Sequence, residues 1–375
     1  MIPFNKPFLI GSELEYVQQA VESGKISGNG LFTQKCHDFF EKKYGFKKVL
    51  LTTSCTDALE MCAILANIQQ GDEVIVPSYT FVSTAIAFVR QGAKVLFADS
   101  SADNPNIDAD KIESLITSKT KAIVPVHYAG VACEMTKIME IASKYNILVI
   151  EDAAQAIDSF YTFGDGTKKA LGSIGHLAAF SFHETKNIIS GEGGMIAIND
   201  EKYINRAEII WEKGTNRAEF FRGEINKYGW VDIGSSFLPS EVISAFLFAQ
   251  LENIEVIQTR RKLLWNRYYA NLSTKNLQGI RLPKNPGFAD NNGHMFYLVC
   301  DNPGQRTELI AKLKENGIHA VFHYLSLHSS EYYREKHDGR ILENCDEFAE
   351  CLVRLPLFYE LSLEQVDEIC ELIGT

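Results

Sequence analysis

The first half of the chain repeats one pattern of hydrophobic and polar positions: a short apolar run, a turn, and a stretch with helical spacing. Strands that alternate with helices in this way indicate a mostly parallel sheet with helices on both faces. Two further runs lie close enough to pair around the loop between them. The apolar runs span residues 48–52, 73–76, 94–97, 122–126 and 147–150, the helical stretches 56–66, 80–91, 108–116 and 135–145, and the pair 178–182 and 194–198.

The second half of the chain has a different pattern. From about 239 to 272 the apolar residues recur at helical spacing without a break, which predicts one long helix that joins two domains. We therefore predict a large α/β domain over residues 1–245, and the linking helix with a small α+β domain over residues 246–375. The small domain combines predicted strands at 294–300 and 319–322 with predicted helices at 307–316 and 363–372.

Composition and charge exclude several classes of function. The 375 residues are 46% hydrophobic and 23% charged, as in ordinary globular proteins. The net charge of −11 argues against binding to nucleic acids or anionic membranes, because both need basic surfaces. The longest apolar stretch, 74–89, contains Pro77 and several hydroxyl residues, so we do not expect it to span a membrane.

Targeting and cysteine patterns predict the compartment. The first residues lack the basic segment and apolar core of a signal peptide. The eight cysteines are scattered and form no CxxC pair, which gives no indication of a zinc or redox motif. We therefore expect a cytoplasmic protein with unreactive thiols and no bound metal.

One lysine and one carboxylate stand out as candidates for chemistry. Lys186 lies in the loop between the paired strands, and Asp152 ends the apolar run 147–150. Pyridoxal phosphate (PLP) needs an amine that forms a Schiff base with its aldehyde, and a carboxylate that keeps its ring nitrogen protonated. Taken singly, Lys186 is equally a surface lysine and Asp152 a strand-end turn residue. Together they predict a PLP site.

Other candidates cluster at strand ends, where open α/β sheets bind ligands. Cys55 and Thr56 open a helix whose N-terminus attracts phosphate, although simple capping by a hydroxyl is the alternative. Phe81 is either a stacking residue or a core aromatic. The loop with Arg217, Arg222 and Lys227 is either a diphosphate clamp or solvated surface; these residues belong to the most basic loop of the chain, 213–228.

Three motifs in order carry a resemblance to a known family. They are Glu-Asp-Ala-Ala-Gln at 151–155, Phe-Ser-Phe-x-x-x-Lys-Asn at 180–187 and Gly-Glu-Gly-Gly at 191–194. With them the chain resembles the DegT-type nucleotide-sugar aminotransferases, a branch of the fold type I PLP enzymes, over nearly its whole length. Several segments are similar to members that form dTDP-4-amino-4,6-dideoxygalactose for surface polysaccharides. These segments are 126–135, 181–187, 212–217, 232–236, 294–297 and 320–324.

The resemblance implies roles for individual residues. Lys186 would be the Schiff-base lysine and Asp152 the partner of the ring nitrogen. Family members are homodimers that share active sites, and the partner usually supplies an asparagine to the phosphate. Ser236 takes the place of that asparagine, and Leu325-Ser326 stands where the family usually has a proline. The other implied cofactor contacts are Phe81 on the ring, Gln155 on its phenolic oxygen, and Cys55, Thr56 and Ser181 on the phosphate.

The resemblance also implies a reaction. The amino group of L-glutamate would pass to C4 of dTDP-4-keto-6-deoxy-D-glucose, with a lysine as the proton shuttle. The retained lysine argues against the related dehydratases, in which a histidine replaces it. Arg217, Arg222 and Lys227 are candidates for the diphosphate, and His183, His323 and Tyr324 for the sugar. The alternatives are a sugar 3-aminotransferase, a 4-aminotransferase that gives the equatorial amine, a PLP-binding sensor without turnover, and a binding protein without PLP.

Overall fold

The computed structural model describes residues 1–374, and in this part of the chain twelve strands form three sheets. In chain order the strands are β1 Lys48–Thr52, β2 Glu73–Pro77, β3 Lys94–Ala98, β4 Thr120–Ile123, β5 Leu148–Asp152, β6 Phe160–Thr162, β7 Lys168–Ala170, β8 Leu177–Ser181, β9 Gly194–Ile198, β10 Ile280–Arg281, β11 Phe296–Cys300 and β12 Leu352–Leu355. Most of the strands predicted in the first half lie within two or three residues of these bounds.

The large sheet has the order β1-β9-β8-β5-β4-β2-β3. The neighbours from β8 to β3 pair in parallel, and β9 runs antiparallel to both β1 and β8. The predicted α/β fold with a mostly parallel sheet is therefore confirmed. Since β1, β5 and β8 run in one direction, their carboxyl ends lie at the same edge, and Thr52, Asp152 and Ser181 meet there.

Thirteen α-helices occur in residues 1–374, and several of them cover the two faces of the large sheet. Successive residues of β1 and β5 face opposite apolar clusters: Leu50 and Ile150 face one, and Leu51 and Val149 face the other. Burial on both faces explains why these strands appear in the sequence as continuous apolar runs. The helices are α1 Glu13–Glu22, α2 Leu31–Tyr44, α3 Cys55–Leu65, α4 Ser83–Val89, α5 Ala109–Ile112, α6 Met135–Tyr145, α7 Ile204–Trp211, α8 Arg217–Phe221, α9 Glu241–Glu252, α10 Ile254–Ser273, α11 Pro303–Glu315, α12 Glu343–Cys351 and α13 Leu363–Gly374.

Two predictions for the second half were wrong. The helix predicted over 239–272 is two helices, because Asn253 leaves helical geometry (φ −112°, ψ 16°) and its side chain donates to Ala249 O at 3.0 Å. The strand predicted at 319–322 is a single bridge from Val321 to Arg354. The segment pairs with Ile2 at Ile318 and with β12 three residues later, so it follows neither partner long enough to form a strand. The predicted boundary at 245/246 falls inside α9, and the division into two domains stays a prediction.

The C-terminal part has an apolar core of its own. The three-stranded sheet β10-β11-β12 packs with α10, α11 and α13 around Leu264, Tyr268, Phe296 and Leu298. None of the helices described between residues 1 and 374 is long and apolar enough to cross a membrane.

Candidate active site

A cavity of about 1050 Å³ opens at the edge where β1, β5 and β8 end. Residues from nine separate segments of the sequence reach it, from Phe4 near the N-terminus to Leu357 after β12. Ten of the residues predicted for the site line it: Cys55, Thr56, Phe81, Asp152, Gln155, Ser181, His183, Lys186, His323 and Tyr324. The fold therefore brings all of the predicted cofactor residues except Ser236, and three of the predicted substrate residues, into one space.

Lys186 is presented by a turn between β8 and β9 that is tied to the C-terminal part of the chain. Its neighbour Asn187 is buried and donates to Gln258 Oε1 at 2.9 Å and to Asn292 O at 3.0 Å, while its Oδ1 hydrogen-bonds His294 Nδ1 at 2.8 Å. Burial lowers the pKa of the Lys186 amine. A lowered pKa increases the share of neutral amine, which is the nucleophilic form.

Asp152 ends β5 as a buried carboxylate with two donors. Thr84 Oγ1 donates to its Oδ2 at 2.7 Å, and the Ala154 amide donates to its Oδ1 at 3.1 Å. Burial raises the pKa of Asp152, whereas the Thr84 hydrogen bond and the Lys186 charge act in the opposite direction. A cation next to this carboxylate would be stabilised, as a protonated pyridine nitrogen requires. Thr84 was missed because nothing in the sequence links position 84 to position 152.

A second buried carboxylate, Glu151, holds the end of β5 in place through four hydrogen bonds. Its Oε2 accepts from His127 Nε2 at 2.9 Å and from the Gly172 amide at 2.7 Å. Its Oε1 accepts from the Ile174 amide at 2.8 Å and the Gly175 amide at 2.5 Å. The Cys133 amide donates to His127 Nδ1, so the proton of this imidazole is on Nε2. Glu151 thus anchors the loop 172–175 directly beside Asp152.

The start of α3 fits a phosphate. Ser54 caps the helix by accepting from the Asp57 amide at 3.1 Å, whereas the amides of Cys55 and Thr56 find no acceptor within residues 1–374. A Cβ on Gly194 would lie 2.4–2.5 Å from the backbone of Ser54 and Cys55, so only glycine lets β9 approach the helix start this closely. Free amides at a helix N-terminus bind anions. The residues present therefore fit the PLP phosphate, with the Ser181 hydroxyl at the adjoining strand end.

Phe81 and Gln155 are placed where a flat ring could lie. Phe81 is 56% exposed, so the alternative of a core aromatic does not hold. The Gln155 side chain accepts from the Ala129 amide at 2.6 Å, and its NH2 group donates to Tyr324 OH at 3.0 Å. The backbone contact fixes the amide orientation, which turns its donor end towards the cavity.

The predicted sugar residues His183, His323 and Tyr324 line the same cavity. His323 Nδ1 hydrogen-bonds Tyr128 OH at 2.7 Å, and its ring stacks on Tyr324 with centroids 3.5 Å apart. Burial lowers the pKa of His323 well below its usual value, so the imidazole is neutral. His183 lies nearer the opening, where it hydrogen-bonds Thr185 Oγ1 at 2.9 Å. Tyr128 was not among the predicted residues, because its contact with His323 joins two residues that are 195 positions apart in the sequence.

Four predicted residues do not line the cavity of their own chain. Arg222 pairs with Glu208 and Glu224, each at 2.7 Å, and these bonds raise its pKa. Arg217 packs on the Phe221 ring, while Lys227 and Ser236 are exposed. The loop 213–236 lies outside the cavity of its own chain, so the substrate roles of the three basic residues and the phosphate role of Ser236 are not tested here. Contacts to a partner's cavity stay a prediction.

The architecture and the cavity place the chain among PLP-dependent aminotransferases of fold type I, as similar solved structures show. It belongs to the DegT/DnrJ/EryC1/StrS aminotransferase family, whose model matches residues 8–374. The chain is therefore a PLP-dependent enzyme and a sugar aminotransferase. Of the predictions made above, the family, the fold, the enzyme class and the cofactor are confirmed.

Relatives and solved structures agree over nearly full length. An uncharacterised protein of Methanocaldococcus jannaschii, MJ1066, is 31% identical over 98% of this chain and 95% of its own. The spore coat polysaccharide biosynthesis protein SpsC of Bacillus subtilis is 30% identical over 99% and 96%. The aminotransferase TlmJ from Streptoalloteichus hindustanus has a TM-score of 0.90 at 26% identity, covering 100% of this chain and 98% of that chain. Spr1654 of Streptococcus pneumoniae in its PLP form has 0.89 at 26%, covering 100% and 97%.

Proposed function

We propose that the enzyme transfers the amino group of L-glutamate to C4 of dTDP-4-keto-6-deoxy-D-glucose. The products would be dTDP-4-amino-4,6-dideoxy-D-galactose and 2-oxoglutarate, and the sugar would serve surface polysaccharide synthesis. One observation carries the proposal. The segments 181–187, 294–297 and 320–324, which resemble enzymes that form this sugar, all contribute residues to the cavity wall. The similarity to a spore coat polysaccharide biosynthesis protein supports the destination of the product.

The cofactor end of the cavity would be held by side chains and amides already in place. PLP, when bound, supplies an aldehyde for the amine and a ring that accepts electrons. Lys186 would react with the aldehyde, and Asp152 would face the ring nitrogen. The amides of Cys55 and Thr56 and the Ser181 hydroxyl would bind the phosphate, with Phe81 and Gln155 against the ring.

Lys186 would also move the protons. Its Nζ, as a free amine, would take a proton from Cα of glutamate. In the second half of the reaction the same amine delivers a proton to C4 of the sugar. Burial favours this role, because an amine with a lowered pKa releases its proton more readily near neutral pH.

The wall with His323 and Tyr324 would orient the sugar. Because His323 is neutral and its Nδ1 is engaged by Tyr128, its Nε2 is free to contact a hydroxyl group. Tyr324 is held by Gln155 and by stacking on His323. Fixed polar groups of this kind give orientation without charge, which suits a neutral deoxysugar ring.

We also propose a homodimer in the cytoplasm with shared active sites. The segment 213–236 exposes large apolar side chains, among them Phe221, Trp230 and Ile233, with Trp230 84% exposed. Such a cluster on a charged loop favours a protein interface. In a dimer, Arg217, Arg222, Lys227 and Ser236 would reach the partner's cavity. All eight cysteines are free, as expected in a reducing compartment.

The test is a comparison of sugar nucleotides. The PLP-loaded enzyme would be supplied with L-glutamate and either the 4-keto or the 3-keto isomer of the dTDP-6-deoxy sugar, and kcat/KM measured from release of 2-oxoglutarate. We expect the 4-keto isomer to be preferred by at least about 100-fold, since the reacting carbon must meet Lys186. A preference for the 3-keto isomer would contradict the proposal. The Lys186→Ala variant is the control without turnover.

A further inference from the structure

A second cavity, of about 740 Å³, opens at the edge of the large sheet opposite the PLP site. It lies at the amino ends of β1 and β8 and at the carboxyl end of β9, which runs antiparallel to both. The residues there include Lys47 before β1, His176 before β8, and Asn199 and Asp200 after β9. A strand of five residues is about 16 Å long, so this cavity is separate from the one that contains Lys186.

The lining of this second cavity is basic, although the chain as a whole is acidic. Lysine and arginine make up 37 of the 375 residues but four of the fifteen that line it, so basic side chains are concentrated there. The one carboxylate among the described residues that line it, Asp200, is paired with Lys202 at 2.7 Å, which brings a fifth lysine close to the cavity. The four lining lysines are Lys43, Lys47, Lys168 and Lys169.

These four lysines are available to a ligand. Lys169 is exposed and has no acidic partner within residues 1–374. The other three form ion pairs that are open to solvent, and exposed pairs of this kind contribute little to stability. A multivalent anion can therefore replace their present partners. The pairs are Lys43 with Glu255, Lys47 with Glu201 and Lys168 with Asp290.

His176 adds a neutral donor to the same cavity. Its Nδ1 accepts from the Val149 amide at 3.0 Å, so the ring proton is on Nε2, which has no acceptor within residues 1–374. Burial and the charge of Lys202 lower the pKa of His176, whereas Asp200 acts in the opposite direction, and the ring is neutral near neutral pH. An anion in the cavity would thus find an N–H group besides the lysines.

The floor of the cavity is held in place from two sides. It is the loop 172–175, whose last three residues line the cavity and which donates three amides to Glu151. The carbonyls of Gly172 and Gly175 accept from Asn199 Nδ2 at 2.8 and 2.9 Å. A site whose walls are fixed before binding loses less free energy when the ligand is ordered.

The lining matches a polyphosphate better than a single carboxylate. Lysine binds phosphate as a compact point charge, and four lysines can neutralise a chain of two or three phosphoryl groups. The volume is that of a small-molecule site and is larger than one phosphate group needs. Met139, Phe160 and Ile174 give the wall an apolar part, on which a nucleoside could lie.

We propose that this cavity binds a polyphosphate anion, either inorganic or as the phosphate chain of a nucleotide. The proposed site is independent of the sugar that the enzyme accepts, since it shares no lining residue with the PLP cavity.

Calorimetric titration of the PLP-loaded enzyme with inorganic triphosphate and with ATP, both without divalent cations, tests the site. The cofactor phosphate would occupy the free amides of α3, so these do not compete for the added anion. We expect one site with a Kd below about 1 mM at low salt. The Kd should rise with ionic strength, because exposed lysines are screened.

Paired lysine variants locate the bound anion. Lys168→Gln/Lys169→Gln should raise the Kd of triphosphate by at least about 10-fold, as for loss of charged hydrogen bonds. Lys43→Gln/Lys47→Gln removes two lysines from another part of the wall and should have a similar effect. Lys111→Gln/Lys314→Gln removes the same charge from two exposed lysines outside the cavity and is the matched control, with a change of less than about twofold. Turnover of the sugar nucleotide should be unchanged in all three variants.

The two probes distinguish the sources of the polyphosphate. An affinity for ATP that is at least about fivefold higher than for triphosphate would assign the site to a nucleotide, because the apolar wall then contributes. Equal affinities would assign it to an inorganic polyphosphate.

Three outcomes overturn the proposal. The first is the absence of binding by either probe up to about 5 mM, well above the expected Kd. The second is binding that both cavity variants leave unchanged, which would place the anion elsewhere on the protein. The third is binding that is lost when the sugar nucleotide is added, which would assign the anion to the diphosphate site of the substrate.

Discussion

Replacement of Glu151 by glutamine tests how the strand end under the cofactor is supported. The carboxylate accepts two hydrogen bonds on each oxygen, and all four donors have their protons fixed, including His127 Nε2. A glutamine has one oxygen and one NH2 group. Whichever way its amide turns, two buried donors face another donor.

The magnitude follows from this count. A buried donor left without its acceptor costs about 1–3 kcal/mol, so two give about 2–6 kcal/mol of lost stability. With a urea m-value of about 3 kcal/mol/M, the unfolding midpoint would fall by about 0.7–2 M. The side-chain volume is nearly unchanged, so no cavity is expected to contribute. This effect is far larger than that of an exposed substitution, which stays within about 0.5 kcal/mol.

Urea unfolding followed by circular dichroism measures the effect, with Glu335→Gln as the exposed control. The comparison is made on the midpoint and slope together, because a chain of this size can depart from two-state unfolding. We expect weaker PLP binding as well, since the loop 172–175 and the end of β5 would move. A midpoint within about 0.2 M of wild type would refute the view that Glu151 holds this edge.

Three other substitutions report on separate parts of the site. Thr84→Val removes a hydrogen bond that lowers the pKa of Asp152, so PLP affinity should fall by about 5- to 10-fold. The loss should be larger at pH 6 than at pH 9, because a carboxyl group with a higher pKa is protonated first as the pH falls. A loss of affinity that does not depend on pH, measured by fluorescence titration, would contradict this. Gly194→Ala places a Cβ against the start of α3 and should weaken PLP binding by at least about 10-fold, whereas normal affinity would show that β9 can shift freely. Tyr128→Phe frees His323 Nδ1 and should raise the sugar-nucleotide KM by about 3- to 10-fold with an unchanged KM for glutamate. Equal changes in both KM values would show that His323 does not contact the sugar.

The strands and the central pair of the site were predictable from sequence because both are local patterns. A buried parallel strand is a short apolar run, and the polar residue that follows it lies at the ligand-binding edge. Asp152 was found in this way, Lys186 was found from the loop between two paired runs, and Ser181 was implied by the family resemblance.

The rest depended on contacts between distant parts of the chain. Thr84 reaches Asp152 across 68 positions, and Tyr128 reaches His323 across 195. The basic loop is a related case, because charge alone does not show that Arg222 is paired with Glu208 and Glu224 of its own chain.

The stereochemistry of the product tests the proposed function most directly. The enzyme would be incubated with dTDP-4-keto-6-deoxy-D-glucose and L-glutamate, and the couplings of the product's C4 proton read by NMR. We predict small couplings to both ring neighbours, because an axial amine leaves the C4 proton equatorial in dTDP-4-amino-4,6-dideoxy-D-galactose. Two large couplings would mean an equatorial amine and a gluco product, and would contradict the assignment while leaving the aminotransferase class intact.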